Sequence, residues 1–223
     1  MSTPRKRAAI LISGRGSNMM SLVAAARDPA WPAEIAVVIA NRPEAAGLPW
    51  AAAQGIATLA LDHKAFATRA AFEDRLHAAL LHAGVEIVCL AGFMRMLTKG
   101  FVDRWRDRLV NIHPSLLPAF PGLDTHERAL REGVKIAGCT VHLVRLEMDT
   151  GPIIAQAAVP VVPGDTPETL GRRVLAAEHR LYPHALALLA SGRARVSGET
   201  IQLLQSVNQD DALFSPSLES VVT

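Results

Sequence analysis

Ile35-Ala36-Val37-Val38-Ile39-Ala40 is apolar at every position. Successive side chains of a strand point to opposite faces, so a run without polar alternation belongs in a sheet covered on both sides. Glu86-Ile87-Val88-Cys89-Leu90-Ala91-Gly92 has the same character. Shorter strand-like runs occur at Ala8–Ser13, Thr58–Leu61 and Leu109–Ile112. Between them lie helical patterns at Ser17–Ala26, Glu44–Gln54 and Phe66–Ala83. The last carries Phe66, Ala70, Leu76, Leu80 and Leu81 near helical spacing. A short helix over Lys99–Arg106 would feed the Leu109 strand. Strand alternating with helix predicts right-handed crossovers and an α/β fold: an open, mostly parallel, Rossmann-like sheet flanked by helices.

After residue 135 the pattern changes. Two longer runs, Ile136–Arg145 and Ile153–Val161, are joined by Leu146–Pro152, where Asp149, Gly151 and Pro152 supply turn chemistry. They predict an antiparallel edge. A long C-terminal helix follows from Thr166 to about Ala190, with Thr166 as cap, Pro167 at the first helical position and Glu168 in the first turn. Arg195–Leu204 reads as a small hairpin. Residues 206–223 are polar and irregular and read as a mobile tail, leaving one domain over residues 1–205.

A chain of 223 residues can bury ~70% of the surface its unfolded form exposes. Half of the residues are apolar and the formal net charge is only +2, and no stretch approaches the ~18 apolar residues of a membrane helix. The basic start contains only Arg5, Lys6 and Arg7 as a cluster, which argues against a nucleic-acid footprint. Ala8–Ser13 is too short for a signal-peptide core. The expectation is a cytoplasmic protein with small-molecule partners and neither membrane nor nucleic acid among them; oligomeric state cannot be read. Cys89 and Cys139 sit in apolar runs as reduced core residues, and no Cys/His spacing suggests a metal.

Three places carry residues suited to chemistry. Ser13-Gly14-Arg15-Gly16-Ser17-Asn18 joins the first strand to a helix. Its glycines permit a tight turn, and the free N–H groups of Gly16, Ser17 and Asn18 suit one phosphate. It lacks the third glycine of a dinucleotide fingerprint and the ending of a P-loop. An ordinary turn capped by Ser17 is the alternative. In Asn111-Ile112-His113-Pro114, an amide donor and a titratable ring project to the same side of a strand end. That pair suits a carbonyl gaining negative charge, or else is a core histidine beside a strand-end asparagine. Asp149 would orient His113 and favour its imidazolium form, or is a plain turn aspartate.

SGRGSN at 13–18, AGFMRML at 91–97, NIHPSLLPAFPGLDTH at 111–126 and VHLVRLEMDTGPII at 141–154 together resemble the phosphoribosylglycinamide formyltransferase family of folate-dependent formyltransferases. The resemblance covers residues 8–190. It implies a formyltransferase fold with a phosphate-binding half over about 8–105 and a folate and catalytic half over about 106–205. It implies transfer of a formyl group from the co-substrate 10-formyltetrahydrofolate to the amine of 5-phosphoribosylglycinamide in purine biosynthesis, without a metal. By motif match, Asn111, His113 and Asp149 are catalytic. Gly16, Ser17 and Asn18 take the substrate phosphate, and Glu178 meets the glycinamide end. Arg69, Met94, Arg95, Met96, Leu97 and Asn111 bind folate. Relatives often carry histidine where Asp124 stands, whereas His126 matches.

The rival readings are a formyltetrahydrofolate hydrolase, which carries an extra N-terminal domain, a methionyl-tRNA formyltransferase, which needs a further C-terminal domain, and a non-catalytic nucleotide-binding module. Here the first strand begins about eight residues in, and about thirty residues follow Ala190.

Overall fold

The computed structural model describes residues 4–204 and Ser215. Seven strands form one sheet in the order β3-β2-β1-β4-β5-β6-β7. They are β1 (Lys6–Ile12), β2 (Ala33–Ala40), β3 (Thr58–Ala60), β4 (Ile87–Leu90), β5 (Leu109–His113), β6 (Ile136–Leu143) and β7 (Ile153–Pro160). Strands β1 to β5 pair in parallel, while β6 runs antiparallel to β5 and β7 antiparallel to β6. A separate hairpin holds β8 (Ala194–Ser197) and β9 (Thr200–Leu203). The expected parallel sheet with an antiparallel edge is therefore observed.

Both faces of the sheet are covered, as the unbroken apolar runs require. Ala8, Ile10 and Ile12 of β1 point into one core, with Cys89 of β4 and Val110 of β5. Ala9, Leu11, Val88 and Leu109 point into the other. Helices α1 (Ser17–Ala25), α2 (Gly47–Ala53) and α6 (Pro167–Ala190) cover the first face. Helices α3 (Arg69–His82) and α4 (Lys99–Arg104) cover the second. Both cysteines are buried and free, and burial pushes each thiol up to about 12.

Helix α6 begins as the sequence predicts. The Thr166 hydroxyl accepts from the Thr169 N–H and Pro167 takes the first helical position. Inside the fold, the Tyr182 hydroxyl reaches the carbonyls of Leu90 (3.0 Å) and Val110 (3.2 Å). It thus ties α6 to the end of β4 and the start of β5.

Several expected boundaries move. Helix α3 starts at Arg69, not Phe66, because the Thr68 side chain accepts from the Ala71 N–H and caps it there. Phe66 stays outside the helix, edge-on to Phe72. The buried face of α3 is Phe72, Glu73, Leu76 and Leu80, while Leu81 is exposed. Helix α2 starts at Gly47 rather than Glu44, and α4 ends at Arg104 rather than Arg106. A further helix, α5 (Thr125–Arg131), has no counterpart in the sequence reading. It buries only Thr125 and Ala129, so it has no apolar stripe to detect. The tail expected at 206–223 lies outside the described residues apart from Ser215.

Candidate active site

Between β1 and β4 the order of the strands reverses: the chain runs outward from β1 to β3, then returns to β4 on the other side. Open α/β sheets bind ligands beyond the carboxyl ends of strands at such a switch point. The loop after β1, the loop after β4 and the end of β5 meet there. The Ser13 N–H donates to the Gly92 carbonyl (3.1 Å), and the Met94 N–H donates to Ser13 Oγ (2.8 Å). Ser13 Oγ in turn donates to Asn41 Oδ1 (2.6 Å) at the end of β2. The phosphate-type loop and the Ala91–Leu97 loop are therefore built as one unit.

Gly16 precedes α1 in the left-handed conformation (φ 70°), and no side chain among the described residues caps the helix. Ser17 therefore does not act as a cap. A Cβ on Gly16 would press to 3.2 Å from Ile12 and 3.3 Å from Met19, so glycine is required for the close approach. The first N–H groups of α1 face a 320 Å³ cavity lined by residues 13–18 and Arg42. This arrangement suits an anion. Neither Arg15 nor Arg42 has an ion-pair partner among the described residues.

The adjoining cavity holds 720 Å³ and is lined by Asn18, Asn111, His113, Asp149 and Glu178, among others. His113 is 5% exposed. Its Nε2 lies 3.0 Å from the Phe120 carbonyl, and its Nδ1 lies 3.4 Å from Asp149 Oδ1. Because a carbonyl only accepts, Nε2 carries a proton and Nδ1 is the nitrogen turned to Asp149. The other oxygen of Asp149 accepts from the Gly122 N–H at 2.7 Å. Phe120 (φ 53°), Asp124 (φ 55°) and Asp149 (φ 53°) all have left-handed backbone. Such strain persists only where surrounding structure fixes it, typically at functional sites.

Asn111 faces His142 across the β5–β6 pairing. His142 Nδ1 lies 3.1 Å from the Leu143 carbonyl and 3.2 Å from that of Thr150, so the proton sits on Nδ1. Burial holds His142 below its ordinary pKa. Its Nε2 is thus a lone-pair acceptor for the Asn111 amide at 3.3 Å. That bond directs the amide NH₂ group, leaving its second N–H to donate elsewhere. The sequence reading gave His142 no role, and its position directly across β5 becomes visible only once strand register is known.

Glu178 of α6 is buried, at 6% exposed. It accepts from Asn18 Nδ2 at 2.6 Å. Burial raises its pKa, and the Asn18 hydrogen bond opposes that rise. Asn18 Oδ1 and His126 Nε2 are buried here without a partner among the described residues, both on residues lining the cavity. Burial, then the nearby His113, lowers the His126 pKa. Asp124, the departure from the family pattern, also lines the cavity.

On the other side of Asn111 lies a 130 Å³ slot lined by Phe93, Arg95, Met96, Leu97, His142 and Met148, among others. Met94 and Met96 are exposed while Leu97 belongs to the core behind them. The Arg95 guanidinium rests 5.4 Å from the centre of the Phe72 ring. Arg69 opens α3 one turn from Phe72, is exposed, and does not line these cavities. Among the described residues no cluster of His, Cys, Asp and Glu is arranged to hold a metal ion.

A sequence profile of the formyl transferase family matches residues 6–186, and the chain belongs to that family. It is 40% identical over 184 residues to the phosphoribosylglycinamide formyltransferase of Bacillus subtilis, covering 82% of this chain and 94% of that protein. It is also 53% identical over 197 residues to the trifunctional purine biosynthetic protein adenosine-3 of Drosophila pseudoobscura pseudoobscura. That match takes 87% of this chain but only 14% of the much longer relative. Among solved structures, glycinamide ribonucleotide transformylase 1 from Symbiobacterium toebii superposes with a TM-score of 0.87 at 47% identity. The superposition covers 90% of this chain and 95% of that one.

Proposed function

We propose that the chain transfers the formyl group of 10-formyltetrahydrofolate to the amine of 5-phosphoribosylglycinamide, as a phosphoribosylglycinamide formyltransferase of purine biosynthesis. One observation carries the reading: Asn111, His113 and Asp149 line one cavity between an anion cradle and an apolar, arginine-bearing slot.

In this reading Gly16, Ser17 and Asn18 hold the substrate phosphate, and Glu178 meets the glycinamide end. Met94, Arg95, Met96, Leu97 and Asn111 take the folate. Arg95 and Arg69 answer the negative charge of its tail. The amine nitrogen attacks the formyl carbon, and the carbonyl oxygen gains negative charge. The free N–H of Asn111 donates to that oxygen, which is typically worth ~10²–10³ in rate. His113 Nδ1, held by Asp149, protonates the tetrahedral species, a contribution of ~10²–10⁴. Asp149 and a water carry the proton lost by the amine toward the folate nitrogen. The new C–N bond then stands as the old one breaks. Alignment of the two substrates lowers the barrier by a further ~7–11 kcal/mol. These contributions suffice for direct transfer. A single domain over residues 1–205 and a cytoplasmic location belong to the same reading; among the described residues no helix is long and apolar enough to cross a membrane.

Purified protein incubated with 10-formyltetrahydrofolate, with and without glycinamide ribonucleotide, tests the proposal. Deformylation that depends on the ribonucleotide and yields a formylated amine supports it. Deformylation to formate without the ribonucleotide identifies a hydrolase instead, and binding of both molecules without turnover identifies a binding module.

A further inference from the structure

We infer that Arg145 is a positioning residue for this reaction: it clamps the base of the loop carrying Asp149 to the Asp107 turn and the Glu199 hairpin, and so keeps Asp149 on His113. The inference rests on the transfer reading above.

Arg145 is the second residue after β6, and its side chain is 9% exposed. A buried cation is unfavourable unless it is paired. Its Nε donates to Glu199 Oε2 (2.7 Å) and its Nη2 to Asp107 Oδ1 (2.8 Å). Its Nη1 lies 3.3 Å from the Val144 carbonyl. Glu199 stands in the turn between β8 and β9, and its other oxygen accepts from Arg106 at 2.5 Å. Asp107 sits in the turn before β5 with left-handed backbone, φ 61°. Two segments far from Arg145 in sequence therefore converge on its guanidinium, and neither lines the cavity that holds Asn111, His113 and Asp149.

The loop is folded tightly over the Arg145 stem. The Leu143 N–H closes it by donating to the Pro152 carbonyl at 2.9 Å. At Gly151 (φ 117°) a Cβ would lie 2.9 Å from Arg145 Cγ and 2.1 Å from the Leu143 carbonyl oxygen. Arg145 forms part of the wall between the folate-side slot and a 520 Å³ cavity on its far side. Asp149 itself holds a left-handed backbone, a conformation that endures only when its surroundings fix it. The Arg145 clamp supplies that fixing from inside the loop. Its loss lets Asp149 retreat from Nδ1 of His113, and a misplacement of about 1 Å is worth up to ~10² in rate.

A double-mutant cycle of Arg145→Met with Asp149→Asn tests this. Arg145→Met alone is expected to lower kcat by ~10–10² while ribonucleotide affinity holds. In the Asp149→Asn background it should add little, because residues acting as a unit are not additive. Glu199→Gln should act in the same direction but less, since Asp107 remains, and it carries the test if Arg145→Met fails to fold. Hydrogen exchange at Gly122, whose N–H is held by Asp149, reads the clamp without turnover. It should accelerate in either variant while exchange in β1 and β4 stays slow. Multiplicative losses in the cycle, an unchanged kcat, or acceleration spread evenly over the chain overturn the inference. A wild type that does not transfer formyl overturns the reaction, while the exchange result still decides the clamp.

Discussion

His113 Nε2 stands 3.0 Å from the carbonyl oxygen of Phe120. This contact settles which ring nitrogen carries the proton of the neutral imidazole. The carbonyl holds the Nε2 proton, so Nδ1, 3.4 Å from Asp149, is the ring nitrogen turned to that carboxylate. Phe120 needs a left-handed backbone to present that carbonyl, so the tautomer is enforced by the segment between β5 and α5.

His113→Asn should remove the acid and leave the cavity otherwise shaped as it is. A kcat loss of ~10²–10⁴ is expected, with glycinamide ribonucleotide binding by calorimetry close to wild type. Normal turnover in this variant removes the acid role from His113.

Asn111→Ala should cost ~10²–10³ in kcat by withdrawing the oxyanion donor. Because His142 directs the amide, His142→Phe should lower kcat in the same direction by a smaller factor. Steady-state kinetics of the pair check this: a His142 variant with unaltered kcat would show that Asn111 needs no partner to orient it.

Arg95→Ala should raise KM for the formyl folate, because its guanidinium borders the slot beside Asn111. Arg69→Ala should weaken folate affinity less, since Arg69 lies outside the lining residues. Affinity for the ribonucleotide should be unaffected in both. Equilibrium titration with a non-reactive folate separates the two, and equal losses would contradict the ordering.

Glu178→Gln should exchange function for stability. The Glu178 carboxyl is held above the ordinary glutamate range, chiefly by burial. A carboxyl with a raised folded pKa ionises more readily once the chain unfolds. Folding stability therefore falls as pH rises from the ordinary glutamate value through the raised one, and below the ordinary value this penalty vanishes. Relative to wild type, the variant should gain Tm at neutral pH, and the gain should shrink toward about pH 4. Ribonucleotide binding should weaken. Melting curves across that range check the sign, and a deficit that grows with pH contradicts it.

Much of the fold was legible because burial on both faces leaves a visible mark. IAVVIA and EIVCLAG have no polar alternation, and β2 and β4 form where they stand. Helix α6 was equally legible, since Thr166 and Pro167 mark its start by local chemistry alone. Helix α5 was not, because seven residues with so little buried apolar surface carry no period. The boundary of α3 shifted because the Thr68 cap overrides an apolar pattern that continues back to Phe66.

The candidate site divides along the same line. Asn111, His113 and the glycine loop stand out because their backbone setting is local: a strand end before proline, and a turn that needs glycine. His142, Phe120 and Arg145 do not, because each acts on a residue that only strand register or loop closure brings near. Sequence by itself determined a two-sided parallel sheet and its antiparallel edge, and it singled out the residues proposed to polarise a carbonyl. Tertiary structure alone decided which imidazole nitrogen faces the Phe120 carbonyl, that His142 meets the Asn111 amide, and which carboxylates pair with Arg145. The reason is physical: propensity, capping and periodicity act over a few residues, whereas hydrogen-bond partners 31 to 54 positions apart are chosen by packing.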